Sequence, residues 1–189
     1  MNSNDRAIER ARSATSGHRA ESLTDGDEWG VWRFSNPETW VYGFYVAFAP
    51  GHVFVGGDIG EMVVTHYGAA KTMQEALNWL ISDRPDLDYL LGKSNKEEVI
   101  DMRATLEFVK SERKNYVDDG DPDEPTLRGF DQLIEDIPAT EPTEVPRMIY
   151  DSGLFDGYAW YGSMSFDSTA RFQMACLLQA AEAIREEIL

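Results

Sequence analysis

Alternation of apolar and polar residues is strongest between positions 29 and 67, where aromatic and β-branched residues dominate. This texture predicts β-strands, because the side chains of a strand point alternately to its two faces. Pro50-Gly51 and the glycines within residues 56–60 separate the strands, so we expect an antiparallel meander closed by tight turns. The predicted strands are Trp29 to Phe34, Trp40 to Phe48, His52 to Val55 and Glu61 to Tyr67.

The second predicted strand is apolar on both faces, which favours a central strand covered by helices on at least one side. Its aromatic rings are expected to pack in the core and the sheet rather than to stack on bases, because Arg33 is the one cationic residue nearby. Trp40, Tyr42, Phe44, Val46 and Phe48 are predicted to point one way, and Val41, Tyr45 and Ala47 the other.

Helical spacing begins after position 70. Thr72-x-x-Glu75 is a capping-box pattern that opens a short helix, and Pro85 is expected to stop it. Asn95-x-x-Glu98 is interpreted as the start of a longer helix with one apolar face. That face consists of Val99, Met102, Leu106 and Val109.

The remainder of the chain predicts an exposed acidic loop at 118–125, a short helix from Leu127 to Ile137 and a strand from Gly157 to Met164. Asp167 is expected to cap a C-terminal helix. Its apolar positions recur every three or four residues, at Met174, Leu177, Ala181, Ile184 and Ile188.

These elements predict an α+β fold, in which an antiparallel meander of about four to five strands packs against helices. Residues 1–27 contain few large apolar groups, so we predict a flexible N-terminal tail or one marginal helix there. Residues 28–189 are then expected to form a single compact domain that carries an acidic loop and helix segment at 115–156.

The acidic segment is the strongest compositional feature of the 189-residue chain. Between Asn115 and Asp156, 12 Asp or Glu residues face 2 Arg and no Lys, so this stretch contributes 10 of the 17 net negative charges. A concentrated negative field favours partners with basic surfaces and repels nucleic acid, which excludes direct nucleic-acid binding from the expected functions.

Other features of the composition indicate the compartment. Cys176 is the single cysteine, which excludes an internal disulfide and favours a reducing cytoplasm. The N-terminal 20 residues have no apolar run typical of a secretion signal, and no stretch approaches the length of a membrane span. We therefore predict a soluble cytoplasmic protein without membrane contact.

Catalytic and metal-binding motifs are weak in this sequence. His18, His52 and His66 form no pair at ligand spacing, although His52 and His66 are candidates to meet near Asp58 and Glu61 in a sheet turn. Glutamate and phenylalanine occupy the two key positions of a calcium loop counted from Asp119, which argues against an EF-hand. No metal and no cofactor are predicted, and Cys176 is interpreted as a buried small hydrophobe.

Two segments carry a resemblance. The run from Tyr45 to Gly60, with its Gly57-Asp58-Ile59-Gly60 turn, and the segment from Asp88 to Ser94 resemble uncharacterised phage and prophage proteins. These proteins share a Gly-Asp-[Ile/Leu]-Gly turn and an Asp-Tyr-Leu-x-x-Lys segment. Small acidic proteins of mobile elements include many inhibitors of bacterial defence, so the resemblance implies an anti-defence protein such as an anti-CRISPR.

The leading hypothesis is a non-enzymatic inhibitor that presents carboxylates to a Lys/Arg-lined nucleic-acid groove of a defence complex, with a CRISPR effector as the suspected partner. The alternatives are a solvated acidic loop without a partner, a small enzyme with a His/Asp/Glu site at the sheet turn, and a phage structural or regulatory homo-oligomer that associates through exposed aromatic residues. The predicted partner-binding residues are Asp118, Asp119, Asp121, Asp123, Glu124, Asp131, Glu135 and Asp136.

Overall fold

A computed structural model describes residues 2–24, 29–66, 70–81, 86–120, 122–155 and 164–188. The chain forms two compact units. Unit 1 comprises Met1–Glu97 and Ser168–Leu189, and unit 2 comprises Glu98–Asp167. The single domain predicted over residues 28–189 spans parts of both units.

The helices and strands of both units, in chain order, are α1 (Ser3–Ala14), β1 (Arg19–Ser22), β2 (Val31–Asn36), β3 (Thr39–Ala49), β4 (His52–Gly57), β5 (Met62–Thr65), α2 (Met73–Ile81), α3 (Leu87–Leu91), β6 (Glu98–Ile100), α4 (Met102–Asp118), α5 (Glu124–Asp136), a 3₁₀ turn (Ile137–Ala139), α6 (Val145–Asp151), β7 (Met164–Phe166) and α7 (Ser168–Ile188).

The sheet of unit 1 is an antiparallel meander in the order β1-β2-β3-β4-β5. Its presence together with the helices confirms the predicted α+β class. One face of the sheet carries the core, because every second side chain along the strands is apolar and buried. The buried side chains of this inner face are Trp32, Phe34, Phe44, Val46, Phe48, Val53, Val55, Met62 and Val64.

Helix α7 occupies the centre of unit 1 and contacts α1, α2, α3 and β1. Its residues 170–177 are all buried, on every side of the helix. A helix that is surrounded in this way needs partners for its polar side chains. Two polar residues of α7, Arg171 and Gln173, are buried here.

These two buried side chains contact the segments 45–60 and 88–94. The side-chain amide of Gln173 donates a hydrogen bond of 2.5 Å to the carbonyl oxygen of Ile59, within the turn between β4 and β5. The guanidinium of Arg171 pairs with Asp88 in α3 and donates to the side-chain oxygen of Asn4 in α1. Ile59 and Asp88 therefore each contact a buried polar side chain of α7.

The N-terminal segment forms a helix, which was one of the two predicted alternatives, rather than a flexible tail. Asn2 and Asp5 form a capping box at the start of α1, and the buried Ala7 and Ala11 allow this helix to lie close to α7. Residues 19–22 then pair with β2 as the edge strand β1. Small alanines explain the difference, because close helix packing requires little apolar volume per residue.

The helix predicted to open at Asn95 begins later, at Met102. Asp101 is its N-cap and accepts a hydrogen bond of 2.9 Å from the backbone N–H of Ala104. Asn95 instead pairs with Val63 of β5 through its backbone N–H and its side-chain oxygen, each at 2.9 Å. Residues 98–100 form β6, so Val99 is exposed rather than part of a helix face.

Unit 2 packs α4, α5, the 3₁₀ turn and α6 around a small apolar cluster, and β6 pairs with β7 in an antiparallel ribbon. Helix α5 confirms the short helix predicted over residues 127–137, with an earlier start at Glu124. Most of the predicted strand from Gly157 to Met164 lies outside the described residues. The buried members of the cluster are Val109, Phe130, Leu133, Ile137, Val145 and Ile149.

Candidate functional site

Carboxylates are densest where α4 ends and α5 begins, and we call residues 118–124 the acidic corner. Asp118 is the last residue of α4 and Asp119 follows as its C-cap; both are exposed. Gly120 has φ +116°, a backbone conformation that favours glycine and lets the chain leave the helix. Asp121 lies outside the described residues.

The position of Asp118 and Asp119 is unfavourable for α4 itself. The C-terminal end of a helix carries partial negative charge, so a carboxylate there costs roughly 0.3–1 kcal/mol, whereas a cation would be stabilising. No basic residue lies in the last turn of α4. Neither side chain has a hydrogen bond or an ion pair within the described part of the chain. The stability of α4 therefore does not explain why these two positions are acidic.

Asp123 and Glu124, in contrast, stabilise α5. Asp123 is its N-cap and accepts hydrogen bonds from the backbone N–H of Thr126, at 3.0 Å, and from the hydroxyl of Tyr116. These donors favour the ionised carboxylate and lower the pKa of Asp123, the Tyr116 contact most. Glu124 forms an ion pair of 2.7 Å with Arg128 one turn later. Local structure accounts for both carboxylates.

Three of the remaining predicted residues lie further along α5. Asp131 forms a two-pronged ion pair with Arg113 of α4, with nitrogen–oxygen distances of 2.6 and 3.3 Å, and it raises the pKa of Arg113. Asp136 accepts two hydrogen bonds from the side-chain amide of Gln132. Glu135 is exposed and has no side-chain partner among the residues that the structure describes.

Helical geometry places part of this set on one face of α5. Glu124, Asp131 and Glu135 are separated by seven and four residues, so they lie within about 40° of one another around the helix. Phe130 and Leu133 face the core on the opposite side. The structure thus brings four described carboxylates together at the acidic corner and continues them as an outward stripe along α5, while Asp136 lies off that stripe.

The four residues proposed for an enzymatic site do not converge, because the two histidines lie at one end of the β4–β5 pair and Asp58 and Glu61 lie at the other. His52 lies at the start of β4, with its ring stacked on Phe54, and it pairs with Thr65. The ring of His66, the residue that follows Thr65, packs edge-on against Trp79 of α2, with 4.1 Å between ring centroids. Asp58 follows the far end of β4, roughly 20 Å from His52 at about 3.3 Å per residue.

We expect the thiol of Cys176 to stay unreactive toward a disulfide reagent at pH 8 while the protein is folded. Cys176 is buried in α7, and burial raises the pKa of its thiol to about 12, so the reactive thiolate is scarce. Absorbance after addition of an aromatic disulfide measures the reaction, and the urea-unfolded chain is the positive control. Stoichiometric reaction of the folded protein within seconds would contradict this.

The same shift predicts a pH dependence of stability. The folded chain holds the Cys176 proton more tightly than the unfolded chain, so this contribution is complete below pH 9.0 and is lost as the pH rises toward about 12. The urea midpoint of the wild type should therefore fall more steeply over this range than that of Cys176→Ala. Parallel curves would show that the thiol does not contribute.

Metal and membrane sites are not evident in the described ranges. No group of three or more His, Cys, Asp or Glu side chains in these ranges has an arrangement that would hold a metal ion. None of the helices described combines the length and the apolar character needed to cross a bilayer.

Comparisons with known proteins give no relative. No protein-family model, no curated protein and no solved structure matches the chain.

Sequence reasoning missed the groups that engage the predicted carboxylates. The spacing of Glu124 and Arg128, four residues apart, is a signal for a helical ion pair and was available. The pairing of Arg113 with Asp131 had no such signal, because 18 residues separate them and their contact depends on how α4 packs against α5.

Proposed function

We propose that this protein is a non-enzymatic inhibitor that binds a basic, nucleic-acid-binding surface through the acidic corner and the outer stripe of α5. One observation carries the proposal: Asp118 and Asp119 lie at the helix end where carboxylates are unfavourable, and no described side chain neutralises them. A cation supplied by a partner would remove this unfavourable arrangement.

The charge distribution supports the same surface. Unit 2, residues 98–167, contains 17 acidic and 6 basic residues, whereas unit 1 contains 17 acidic and 11 basic residues in a longer stretch of chain. Unit 2 therefore carries 11 of the 17 net negative charges. Charge of one sign on one part of a molecule accelerates the encounter with an oppositely charged partner.

The class of partner follows from the ligand that an acidic surface can replace, which is the phosphate backbone of a nucleic acid. A groove lined by Lys and Arg binds nucleic acid mainly through phosphate contacts, and these cations are equally available to carboxylates. A protein that occupies the groove excludes DNA or RNA without any chemical step. The proposed partner is a bacterial defence complex, with a CRISPR effector as the first candidate, which is the partner class that the expected resemblance of residues 45–60 and 88–94 to phage proteins implies.

The test is competition with DNA for purified CRISPR effector complexes, measured by fluorescence anisotropy of labelled DNA between 50 and 200 mM NaCl. We expect the wild type to displace DNA from at least one effector, with an apparent affinity that falls at least tenfold over this range of salt. Failure to displace DNA from any effector, or displacement that is insensitive to salt, would contradict the proposal.

Neutralising the surface is expected to weaken the displacement by about tenfold to 100-fold. The variant combines Asp118→Asn, Asp119→Asn and Glu135→Gln, three exposed residues without described side-chain partners, so the fold should be retained. The control removes the same number of charges from exposed positions of α7, by Glu182→Gln, Glu186→Gln and Glu187→Gln. Equal losses in both variants would indicate a dependence on net charge rather than on this surface.

A further inference from the structure

The outer face of the unit 1 sheet, opposite the core, carries large apolar side chains that are exposed. Tyr45 is 41% exposed and Phe54 is 42% exposed. A backbone irregularity between Phe34 and Asn36 extends the same surface, because it places the ring of Trp40, itself 42% exposed, 5.6 Å from that of Tyr45. Of the rings predicted to pack in the core and the sheet, Phe44 lies in the core, whereas Tyr45 and Trp40 pack against one another on the outer face of the sheet.

Charge on this face differs from that of the rest of the molecule. Among the outward-pointing residues of the five strands, Glu21 is the single carboxylate, and it is paired with the guanidinium of Arg33. The whole chain has 34 acidic residues, so a face almost without unpaired carboxylates is unusual here. Arg19, on the edge strand β1, also points outward, so burial of the centre of the face around Tyr45 and Phe54 avoids the desolvation cost of an unpaired charge.

The strand register arranges large and small side chains alternately. Tyr45 lies directly opposite Gly56, and Ala47 lies directly opposite Phe54. The two rings therefore occupy one diagonal of a four-residue square, and the two small residues occupy the other. A Cβ built at Gly56 would meet no atom within 4 Å, which shows that this corner of the square is open.

Such a square is complementary to itself. A half-turn about an axis that lies in the interface and runs along the strands places Tyr45 of one copy over Gly56 of the other, and Phe54 over Ala47. Each ring then enters the space that a small residue leaves, in both directions at once. A two-fold interface requires this reciprocity, and aligned packing of two sheets is one of the two common arrangements.

We propose that two copies of this chain associate through the outer faces of their sheets, with these rings interdigitated. The face of five strands measures roughly 24 by 20 Å, from about 4.8 Å between strands and about 3.3 Å per residue. Side-chain relief increases this area toward the about 800 Å² per partner that a standard interface buries. We expect a reversible dimer whose interface area is at the small end of the range for specific protein–protein interfaces.

Salt distinguishes this association from the proposed function of unit 2. Two copies that each carry a net charge of -17 repel one another, and added salt screens this repulsion. Dimer formation should therefore strengthen as salt rises, whereas binding of a basic partner should weaken. Failure of one proposal consequently leaves the other intact.

The test is sedimentation equilibrium of the full chain at roughly 5 to 200 μM, in 50 and 500 mM NaCl. We expect a mass that approaches twice 21.4 kDa with rising concentration, and a dissociation constant at least threefold lower in the higher salt. A mass of one chain throughout, or a dimer weakened by salt, would overturn the proposal.

Substitutions on the outer face of the sheet provide a second test of the proposed dimer. Gly56→Gln fills the open corner without a change of charge, and the combination of Tyr45→Ser and Phe54→Ser removes both rings; each variant should weaken the dimer at least tenfold. Tyr89→Ser and Tyr150→Ser alter exposed tyrosines elsewhere and are expected to leave it unchanged. Circular dichroism verifies folding, and a dimer unaffected by both face variants would place the interface elsewhere and overturn the proposal.

Discussion

Gly57→Ala is expected to lower the free energy of unfolding of unit 1 by about 3 kcal/mol. Gly57 has φ +143°, which L side chains rarely adopt, and an added Cβ would lie 2.7 Å from the carbonyl oxygen of Gly43 and from the Cα of Phe44. Both are backbone atoms of β3, so they cannot rotate away as the end of a flexible side chain can. Strain and overpacking therefore add to one another at this position.

The preceding residue is a matched control. Gly56→Ala makes the same chemical change on the same strand, yet its Cβ would meet no atom within 4 Å, so we expect a change within about 0.5 kcal/mol. Urea unfolding followed by tryptophan fluorescence reports on unit 1, which contains four of the five tryptophans. Equal losses of stability in the two variants, or no loss in either, would show that the close approach of β4 to β3 has been misjudged.

Arg171→Leu should cost unit 1 about 2 to 3 kcal/mol. The Arg171 side chain is 10% exposed, and it joins α7 to Asp88 of α3 and to Asn4 of α1. Its removal takes the Arg171 donor from the side-chain oxygen of Asn4 and from Asp88, which keeps a hydrogen bond of 3.1 Å from the side-chain amide of Asn4. Asp88 is 44% exposed, so water can solvate its carboxylate after the substitution. The expected loss of stability is therefore smaller than that for a fully buried ion pair.

The control for this substitution is Arg6→Leu, on the exposed surface of α1, for which we expect less than about 0.5 kcal/mol. A double-mutant cycle of Arg171→Leu with Asp88→Asn isolates the pair. The combined variant should be less destabilised than the sum of the single variants. Simple additivity would show that Arg171 acts through its other contacts.

The meander was predictable from sequence because its signals are local. Alternation identified β2 to β5, glycines marked the turns after β3 and β4, and the strand boundaries agree within a few residues. At the N-terminus β1 was missed, and a helix was predicted only as an alternative to a tail, because α1 depends on Ala7 and Ala11, which contribute little to any hydrophobic pattern. Asn95 was misassigned because an N-cap and the partner of an edge strand use the same side-chain oxygen.

The acidic segment was also evident from sequence, but the state of each carboxylate was not. Asp118 and Asp123 are the same residue type in the sequence. In the structure, Asp118 lies at the C-terminal end of α4, which is unfavourable for a carboxylate, whereas Asp123 caps the start of α5. Neighbouring helices decide whether a carboxylate is engaged, as the pairing of Asp131 with Arg113 shows. The outer face of the sheet illustrates the same limit, because apolar residues on both faces of β3 do not reveal which face is covered.

The division of unit 1 into two chain segments has a consequence for biosynthesis. The sheet leaves the ribosome well before α7, because 102 residues separate Thr65 from Ser168. Translation adds about 5 to 20 residues per second, so the apolar inner face of the sheet stays uncovered for about 5 to 20 s before α7 is synthesised. The pairing of β6 with β7 brings the two ends of the intervening unit together. Early folding of that unit would thus shorten the loop that α7 must close before the nascent sheet can aggregate.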